Sequence, residues 1–393
     1  MRKKIVVLGS TGSIGRQTLE VVRALPDELE ILALGADKNA AALLEQAREF
    51  RPACLGIRDA AKAALLETAG AEVVAGEDAA AVLAALPEAD IVVNGVSGFA
   101  GLAPLLSALD AGKTVALANK ESIVCAHELV EAALLKGGRI IPVDSEQSAL
   151  YQCLRCGERR EVSRLLLTAS GGPFRAYTKD RLARVTAAGA LRHPTWRMGK
   201  KITIDSASLF NKGLEVMEAA YLFHLPGEKI EVLIHPESVV HSLVEFEDGS
   251  TIAQLSAPDM RLPIQYALMR TERRAAGFGK LDLAKAGALR FEAPDYGRFP
   301  ALPLAYAALR EGGTLPIAYN GANEIAAALF LEGKLGFLDI PVLVEHAMAK
   351  IERGRPQSLA DVLAIDAAAR RLALEKAAKM GSHLADQTER KST

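Results

Sequence analysis

The segment Leu8-Gly9-Ser10-Thr11-Gly12-Ser13-Ile14-Gly15 follows the apolar run 5–8 and leads into a helical stretch, 18–25, closed by Pro26. Glycines at this spacing suit a strand-to-helix turn in which backbone must pass close to a pyrophosphate and helix must pack on strand. The helix that follows presents unpaired N–H donors to the phosphates. The same alternation continues through the first third of the chain. Strand-like runs at 29–35, 54–57, 72–74, 91–94, 114–118 and 139–143 are separated by helical stretches rich in alanine. Strands alternating with helices predict a parallel, doubly wound sheet, Rossmann-like in organisation.

After Asp144 the texture changes. Strands are expected at 162–168, 230–234, 242–246 and 251–255, with a hairpin turn at Glu247-Asp248-Gly249-Ser250. This reads as a second α/β domain with at least one antiparallel pair. Residues 270–300 carry Gly277, Gly279, Gly287, Pro294 and Gly297 and read as a connector. Four helical segments follow, at 301–310, 323–331, 340–351 and from Ser358 to about Lys379, the last opened by a Ser358/Asp361 capping signature. The domains are therefore expected at 1–143, 144–269 and 301–393, the last a four-helix bundle.

At 393 residues, half of them hydrophobic, the chain can build two or three cores. A net charge of −1, without a basic stripe, argues against nucleic acid as a partner. No apolar run approaches the ~20 residues of a membrane span. The start, Met1-Arg2-Lys3-Lys4, has no signal-peptide pattern, and four cysteines imply no disulfide framework. A cytoplasmic enzyme is expected. Cys153 and Cys156 form a Cys-x-x-Cys pair without a second pair or nearby histidines, so ordinary helix packing is the expectation.

The chemistry-bearing residues concentrate in a few places. The second strand ends Gly35-Ala36-Asp37-Lys38-Asn39, where Lys38 and Asn39 suit a ribose 2′-phosphate and so NADPH. Asp37 would repel that phosphate and is expected to turn outward. Asn119-Lys120-Glu121 lies beyond another strand end, where a lysine can hold an anion or polarise an oxygen. Asp144 and Glu146 read as the same face of a strand end. Together with Glu215 they form a carboxylate trio with no adjacent His or Cys, which favours Mg²⁺ or Mn²⁺. The stretch 204–215 reads as one helix with Asn211 and Glu215 on a shared face. Ser170-Gly171-Gly172 exposes main-chain donors for an oxyanion, and Ser206, Asn211 and Lys212 complete a phosphate clamp. Trp196 sits in a Pro/Gly-bounded loop as either a lid or a satellite core residue. His235 and His241 read as satisfied core histidines.

Taken in order, Gly9 to Gly15, Ala118-Asn119-Lys120-Glu121-Ser122, Pro142-Val143-Asp144-Ser145-Glu146, Ala169-Ser170-Gly171-Gly172-Pro173-Phe174, His193-Pro194-Thr195-Trp196-Arg197-Met198-Gly199, Asn211-Lys212-Gly213-Leu214-Glu215 and Ala257-Pro258-Asp259-Met260-Arg261 resemble 1-deoxy-D-xylulose 5-phosphate reductoisomerases over nearly the whole chain. The resemblance implies a homodimeric, metal- and NADPH-dependent enzyme of isoprenoid precursor synthesis, converting that sugar phosphate to 2-C-methyl-D-erythritol 4-phosphate. It implies Asp144, Glu146 and Glu215 as metal ligands, with Lys120, Glu146 and Glu215 as catalytic residues. Substrate contacts would be Lys120, Ser145, Glu146, Ser170, His193, Ser206, Asn211, Lys212 and Glu215. NADPH contacts would be Thr11, Gly12, Ser13, Ile14, Asp37, Lys38, Asn39, Asn119, Glu121 and Gly199. Trp196 and Met198 would belong to a closing lid, and fosmidomycin-type inhibitors would occupy the substrate site. Gln147, Asp37 and Ser208 depart from residues common in that family. Another Rossmann-type NADP-dependent reductase and a non-catalytic NADP-binding regulator are the competing readings.

Overall fold

The computed structural model describes residues 2–192, 196 and 198–391, with side chains described as far as Met380. The chain divides into two compact units. One holds Met1–Ile123, His127–Arg155 and Ser256–Asp282; the other holds Val124–Ala126, Cys156–Leu255 and Leu283–Thr393.

The first unit is built on a seven-stranded sheet of order β4-β3-β2-β1-β5-β6-β7. Its strands are β1 (Lys3–Leu8), β2 (Leu29–Ala36), β3 (Cys54–Ile57), β4 (Glu72–Ala75), β5 (Ile91–Asn94), β6 (Thr114–Leu117) and β7 (Arg139–Pro142), and every pairing is parallel. Parallel strands are covered on both faces, so they read as unbroken apolar runs. Ile5, Val6, Val7 and Leu8 are all fully buried, as are Ile91, Val92 and Val93. Each such side chain contributes on the order of 2 kcal/mol by burial. The strand order reverses between β1 and β5, which places a ligand crevice at the carboxyl ends of those two strands. The segment Ser256–Asp282 also belongs here. Its helix Arg261–Leu268 buries Ile264, Ala267 and Leu268 in the same core, and Arg261 pairs with Glu20 at 3.0 Å.

The second unit contains a four-stranded sheet of order β11-β10-β8-β9, formed by β8 (Val162–Ala169), β9 (Ile230–Ile234), β10 (Val240–Phe246) and β11 (Thr251–Leu255). β8 pairs parallel with β9 and antiparallel with β10, which pairs antiparallel with β11 across the expected hairpin. There Gly249 has φ 83° and Asp248 accepts from the Ser250 N–H at 2.9 Å.

The C-terminal helices are Ala301–Glu311, Thr314–Leu331, Asp339–Lys350 and Leu359–Lys391. The second begins earlier than the sequence suggested, and the fourth runs past Lys379. Pro316 lies in the first turn of its helix, where a missing N–H costs nothing. Gly321 is not a breaker. A Cβ there would lie 2.8 Å from the Asp366 carboxylate, so the glycine lets the long helix approach. Among the described residues no helix is long and apolar enough to cross a membrane.

Candidate active site

In the first unit the turn after β1 is shaped by glycine. Gly9 has φ 75°, and a Cβ on it would stand 2.6 Å from the Gly95 carbonyl oxygen just past β5. A Cβ on Gly15 would meet the Gly9 carbonyl oxygen at 2.3 Å. Both positions therefore need the bare backbone. The following helix, Ser13–Ala24, has Gly12 as its N-cap and no side-chain cap, so its first N–H groups are not taken up by a capping side chain. That arrangement fits a dinucleotide pyrophosphate. At the end of β2, Asn39 caps the helix Ala40–Phe50 by accepting from the Ala42 N–H at 3.2 Å. The Asp37 carboxylate is exposed, as expected, but it is held by Arg58, whose Nε donates to it at 2.5 Å.

Asn119 is held chiefly by backbone. Its side-chain nitrogen donates to the Val96 and Gly98 carbonyls, both at 2.7 Å, and its oxygen accepts from the Ser122 N–H at 3.1 Å. This clamp ties the ends of β5 and β6 together and fixes the start of the helix Lys120–Cys125. Lys120, almost fully buried, forms an ion pair with Asp144.

Asp144 and Glu146 do not lie on a strand, contrary to the sequence reading. β7 stops at Pro142, Asp144 is the N-cap of the helix Ser145–Cys153, and Glu146 lies in its first turn. The carboxylates converge because a helix N-terminus favours negative charge, not because strand side chains alternate. Oxygens of Asp144 and Glu146 lie within 4.8 Å of each other. Ser145 Oγ donates to Glu146. Burial pushes the Asp144 carboxyl upward, and Glu146 beside it adds to the rise, while Lys120 opposes it. Two carboxylates crowded in this way suit a hard divalent cation, whose charge would reverse the shift.

In the second unit, the expected single helix over 204–215 is two. Lys200–Ser208 and Phe210–Phe223 meet at Leu209, which adopts φ 64°. A left-handed leucine costs on the order of 1–3 kcal/mol and marks a sharp change of direction. The break puts Ser206 on one helix and Asn211, Lys212 and Glu215 on the next. Asn211 Nδ2 and Lys212 Nζ each donate to the Glu215 carboxylate, as their spacing predicts. The second helix has no side-chain N-cap, so its start is suited to an anion. The loop after β8 packs against the first helix: Gly172, at φ 66°, would place a Cβ 3.0 Å from the Ser206 carbonyl oxygen. Ser170 Oγ accepts from the Gly172 N–H at 3.2 Å. Ser170 and Ser206 are thereby brought to neighbouring segments.

His193 lies outside the described residues. Trp196 is half-buried, with its ring centroid 6.3 Å from that of His241, and Gly199 caps the helix bearing Ser206. His235 is structural: its Nε2 accepts from the N–H groups of Val239 and Val240 at 3.2 and 3.1 Å. Cys153 is buried, Cys156 is exposed, and neither is in a disulfide.

Sequence reasoning missed the residues that hold these groups from a distance. Lys201 lies 2.7 Å from the buried Asp205 carboxylate, which also accepts from Asn323 Nδ2 at 2.9 Å. Glu324 beside it pairs with Arg370 at 2.6 Å. The only trace in the sequence is a polar cluster, Asn320, Asn323 and Glu324, inside an otherwise apolar helix.

Comparison with known proteins gives the family. Family models described as 1-deoxy-D-xylulose 5-phosphate reductoisomerase, the same enzyme's C-terminal domain, and DXP reductoisomerase C-terminal domain match residues 5–127, 140–223 and 255–372. The chain is 51% identical over 391 residues to 1-deoxy-D-xylulose 5-phosphate reductoisomerase of Heliobacterium modesticaldum, covering 96% of this chain and 98% of that one. It is 52% identical over 373 residues to the enzyme of Chlorobium chlorochromatii, covering 94% and 98%. The solved Zymomonas mobilis enzyme in complex with NADPH superimposes with a TM-score of 0.91 at 43% identity, covering 96% of this chain and 99% of that one. A DOX-P reductoisomerase in complex with NADPH, fosmidomycin and magnesium gives 0.90 at 38%, covering 96% and 99%. Matched along nearly its full length in both sequence and fold, the chain belongs to the 1-deoxy-D-xylulose 5-phosphate reductoisomerase family.

Proposed function

We propose that this protein is the enzyme that rearranges 1-deoxy-D-xylulose 5-phosphate and reduces it with NADPH to 2-C-methyl-D-erythritol 4-phosphate, with a divalent cation required. The observation that carries the reading is the near-full-length match to relatives of that activity at about half identity. The carboxylate pair Asp144 and Glu146 beside Lys120 fits it, and a semialdehyde dehydrogenase's nucleophilic cysteine has no counterpart in the buried Cys125 and Cys153.

Within that activity we assign Asp144, Glu146 and Glu215 to the cation, Mg²⁺ or Mn²⁺. When bound, the cation polarises neighbouring oxygens of the keto sugar and offsets charge developed as a carbon–carbon bond breaks. NADPH supplies the hydride. Lys120 holds the substrate's oxygen end, and its ion pair with Asp144 opposes the upward push of burial on that carboxyl. Ser170, Ser206, Asn211 and Lys212 grip the phosphate, which fixes the reacting end by orientation. Ser145 and His193 complete the substrate contacts. Thr11, Gly12, Ser13, Ile14, Lys38, Asn39, Asn119, Glu121 and Gly199 line the NADPH path. Trp196 and Met198 close over the substrate and exclude water. Fosmidomycin-type inhibitors would bind the same residues.

By role along the chain, 1–143 act as the NADPH-binding part, 144–269 as the metal and substrate part, 270–300 as a connector and 301–393 as the supporting helical bundle; the compact units divide differently, with 144–155 and 256–282 folding in the first. A homodimer and a cytoplasmic location belong to the same proposal, and sedimentation velocity tests the first.

The deciding experiment follows NADPH absorbance after adding 1-deoxy-D-xylulose 5-phosphate. Oxidation with Mn²⁺ that stops in EDTA is expected. Oxidation indifferent to EDTA would mean another reductase, and none under either condition a binding protein.

A further inference from the structure

The edge of the first sheet carries a cation that sequence reasoning did not reach. Ala36, the last residue of β2, is in register with Ile57, the last of β3. The pairing continues one step further: the Arg58 N–H donates to the Ala36 carbonyl at 3.1 Å, and the Asp59 N–H to the Asp37 carbonyl at 3.0 Å. Arg58 and Asp37 are thus neighbours by construction, fixed by backbone on both strands. Arg58 Nε donates to the Asp37 carboxylate at 2.5 Å. Lys62, from the turn Ala60–Leu65, donates to the Lys38 carbonyl at 2.8 Å, so the main chain of the Asp37-Lys38-Asn39 loop is held as well.

The ion pair stands in the open, with Arg58 and Asp37 42% and 59% exposed. Exposed pairs stabilise a fold by little, so stability does not account for building one at the cofactor's ribose position. Its chemical consequence is larger. An acid at the end of the second strand ordinarily grips the ribose hydroxyls and selects NADH. Here that acid is engaged by a guanidinium that, among the described residues, spends one donor in a hydrogen bond. The rest of the planar fork matches a phosphate. Glu77, at 3.9 Å and 83% exposed, is a loose neighbour that a dianion can displace. The ammonium of Lys38 makes no ion pair among the described residues.

We propose that Arg58, held in place by Asp37, is a specificity-determining residue of this enzyme: it takes the 2′-phosphate of NADPH together with Lys38, and Asp37 positions Arg58 instead of gripping the ribose. The carboxylate at Asp37 is then compensated by a guanidinium one strand away, and the two act as a unit. The proposal rests on Lys38 reading the 2′-phosphate, and the test separates the two.

Dissociation constants of the full-length protein for NADPH, NADH and 2′,5′-ADP are measured by calorimetry, with no turnover involved. Arg58→Gln should weaken NADPH and 2′,5′-ADP about ten-fold, the scale of one charge-assisted contact, and leave NADH within about two-fold. Arg58→Lys should recover part of the loss. Asp37→Asn alone should leave NADH unchanged. In the Arg58→Gln background it should restore part of the NADPH affinity, because the unpaired carboxylate there repels the phosphate. Equal weakening of NADPH and NADH by Arg58→Gln, or no weakening of either, overturns the proposal. So does loss of NADH affinity in Asp37→Asn. If Lys38→Ala discriminates between the cofactors and Arg58→Gln does not, only the role of Arg58 falls. If neither discriminates, the reading of this strand edge as the 2′-phosphate site falls too.

Discussion

Asp205 accepts a 2.9 Å hydrogen bond from Asn323, and both side chains are buried. Asp205 directly precedes Ser206, so the helix bearing the serine we assign to the substrate phosphate is fastened to the helix Thr314–Leu331. Asn323→Ala removes that bond from the buried Asp205 carboxylate. It should cost about 1–3 kcal/mol in urea unfolding, the scale of an unmade buried hydrogen bond, and raise KM for the sugar phosphate more than it lowers kcat. An unfolding free energy equal to the parent's would remove the fastening role.

Glu215→Gln tests the third carboxylate. The substitution keeps shape and removes charge. Turnover should fall on the order of 10²-fold or more, as when one charge-stabilising contact is lost, while NADPH binding stays intact. Steady-state kinetics paired with NADPH titration check both halves, and retained turnover contradicts the metal assignment.

Lys120→Met probes competition between a lysine and a cation for the same carboxylate. Without the ammonium, Asp144 is left buried beside Glu146, and the metal-free protein should melt at lower temperature. Mn²⁺ should then bind about ten-fold tighter or better, about 1.4 kcal/mol, because a like charge has gone. Melting curves in Mn²⁺ and in EDTA report this as a larger metal-induced shift in the variant than in the parent. A smaller shift means that Lys120 assists the metal instead of competing with it.

The pH dependence of stability has a traceable contributor in Glu324. Burial pushes its carboxyl up, but Lys201 and Arg370 outweigh that and hold it below the usual range. A folded value below the unfolded one, about 4.3, gives stability that is fully present above that pH and lost as pH falls through the folded value. Glu324→Gln should flatten the acid limb of the unfolding profile as pH falls below the ordinary carboxylate range. An acid limb as steep as the parent's assigns the loss to other carboxylates.

Gly172→Ala places a methyl group 2.9 Å from Ala207 Cα at a backbone φ of 66°. The strain, of order 1–3 kcal/mol, falls on the loop carrying Ser170. KM for the substrate should rise several-fold with the NADPH dissociation constant unmoved. Equal change in both would indicate general loosening.

Much of this was legible before any coordinates. Apolar runs bounded by breakers gave the strands of the first sheet, because a strand buried on both faces has to be apolar throughout. The hairpin at Glu247-Asp248-Gly249-Ser250 was readable from turn chemistry. Asn211, Lys212 and Glu215 were readable from helical spacing. Two local geometries were not. Asp144 and Glu146 proved to be helix N-terminal residues, and Leu209 broke a helix that carries no Gly or Pro at that point. Neither depends on a residue type that announces itself, since a left-handed leucine is imposed by what surrounds it.

Residue order was enough for the succession of strands and helices, the glycines of the turn after β1 and the acidic, basic and hydroxyl groups we assign to the chemistry. These follow from residue type and short spacing. It took the folded chain to show that Lys120 pairs with Asp144, that Asn323 secures Asp205 and that Arg58 holds Asp37. Each of those pairs joins residues on different elements, and their contact depends on strand register and helix packing, which no local pattern encodes.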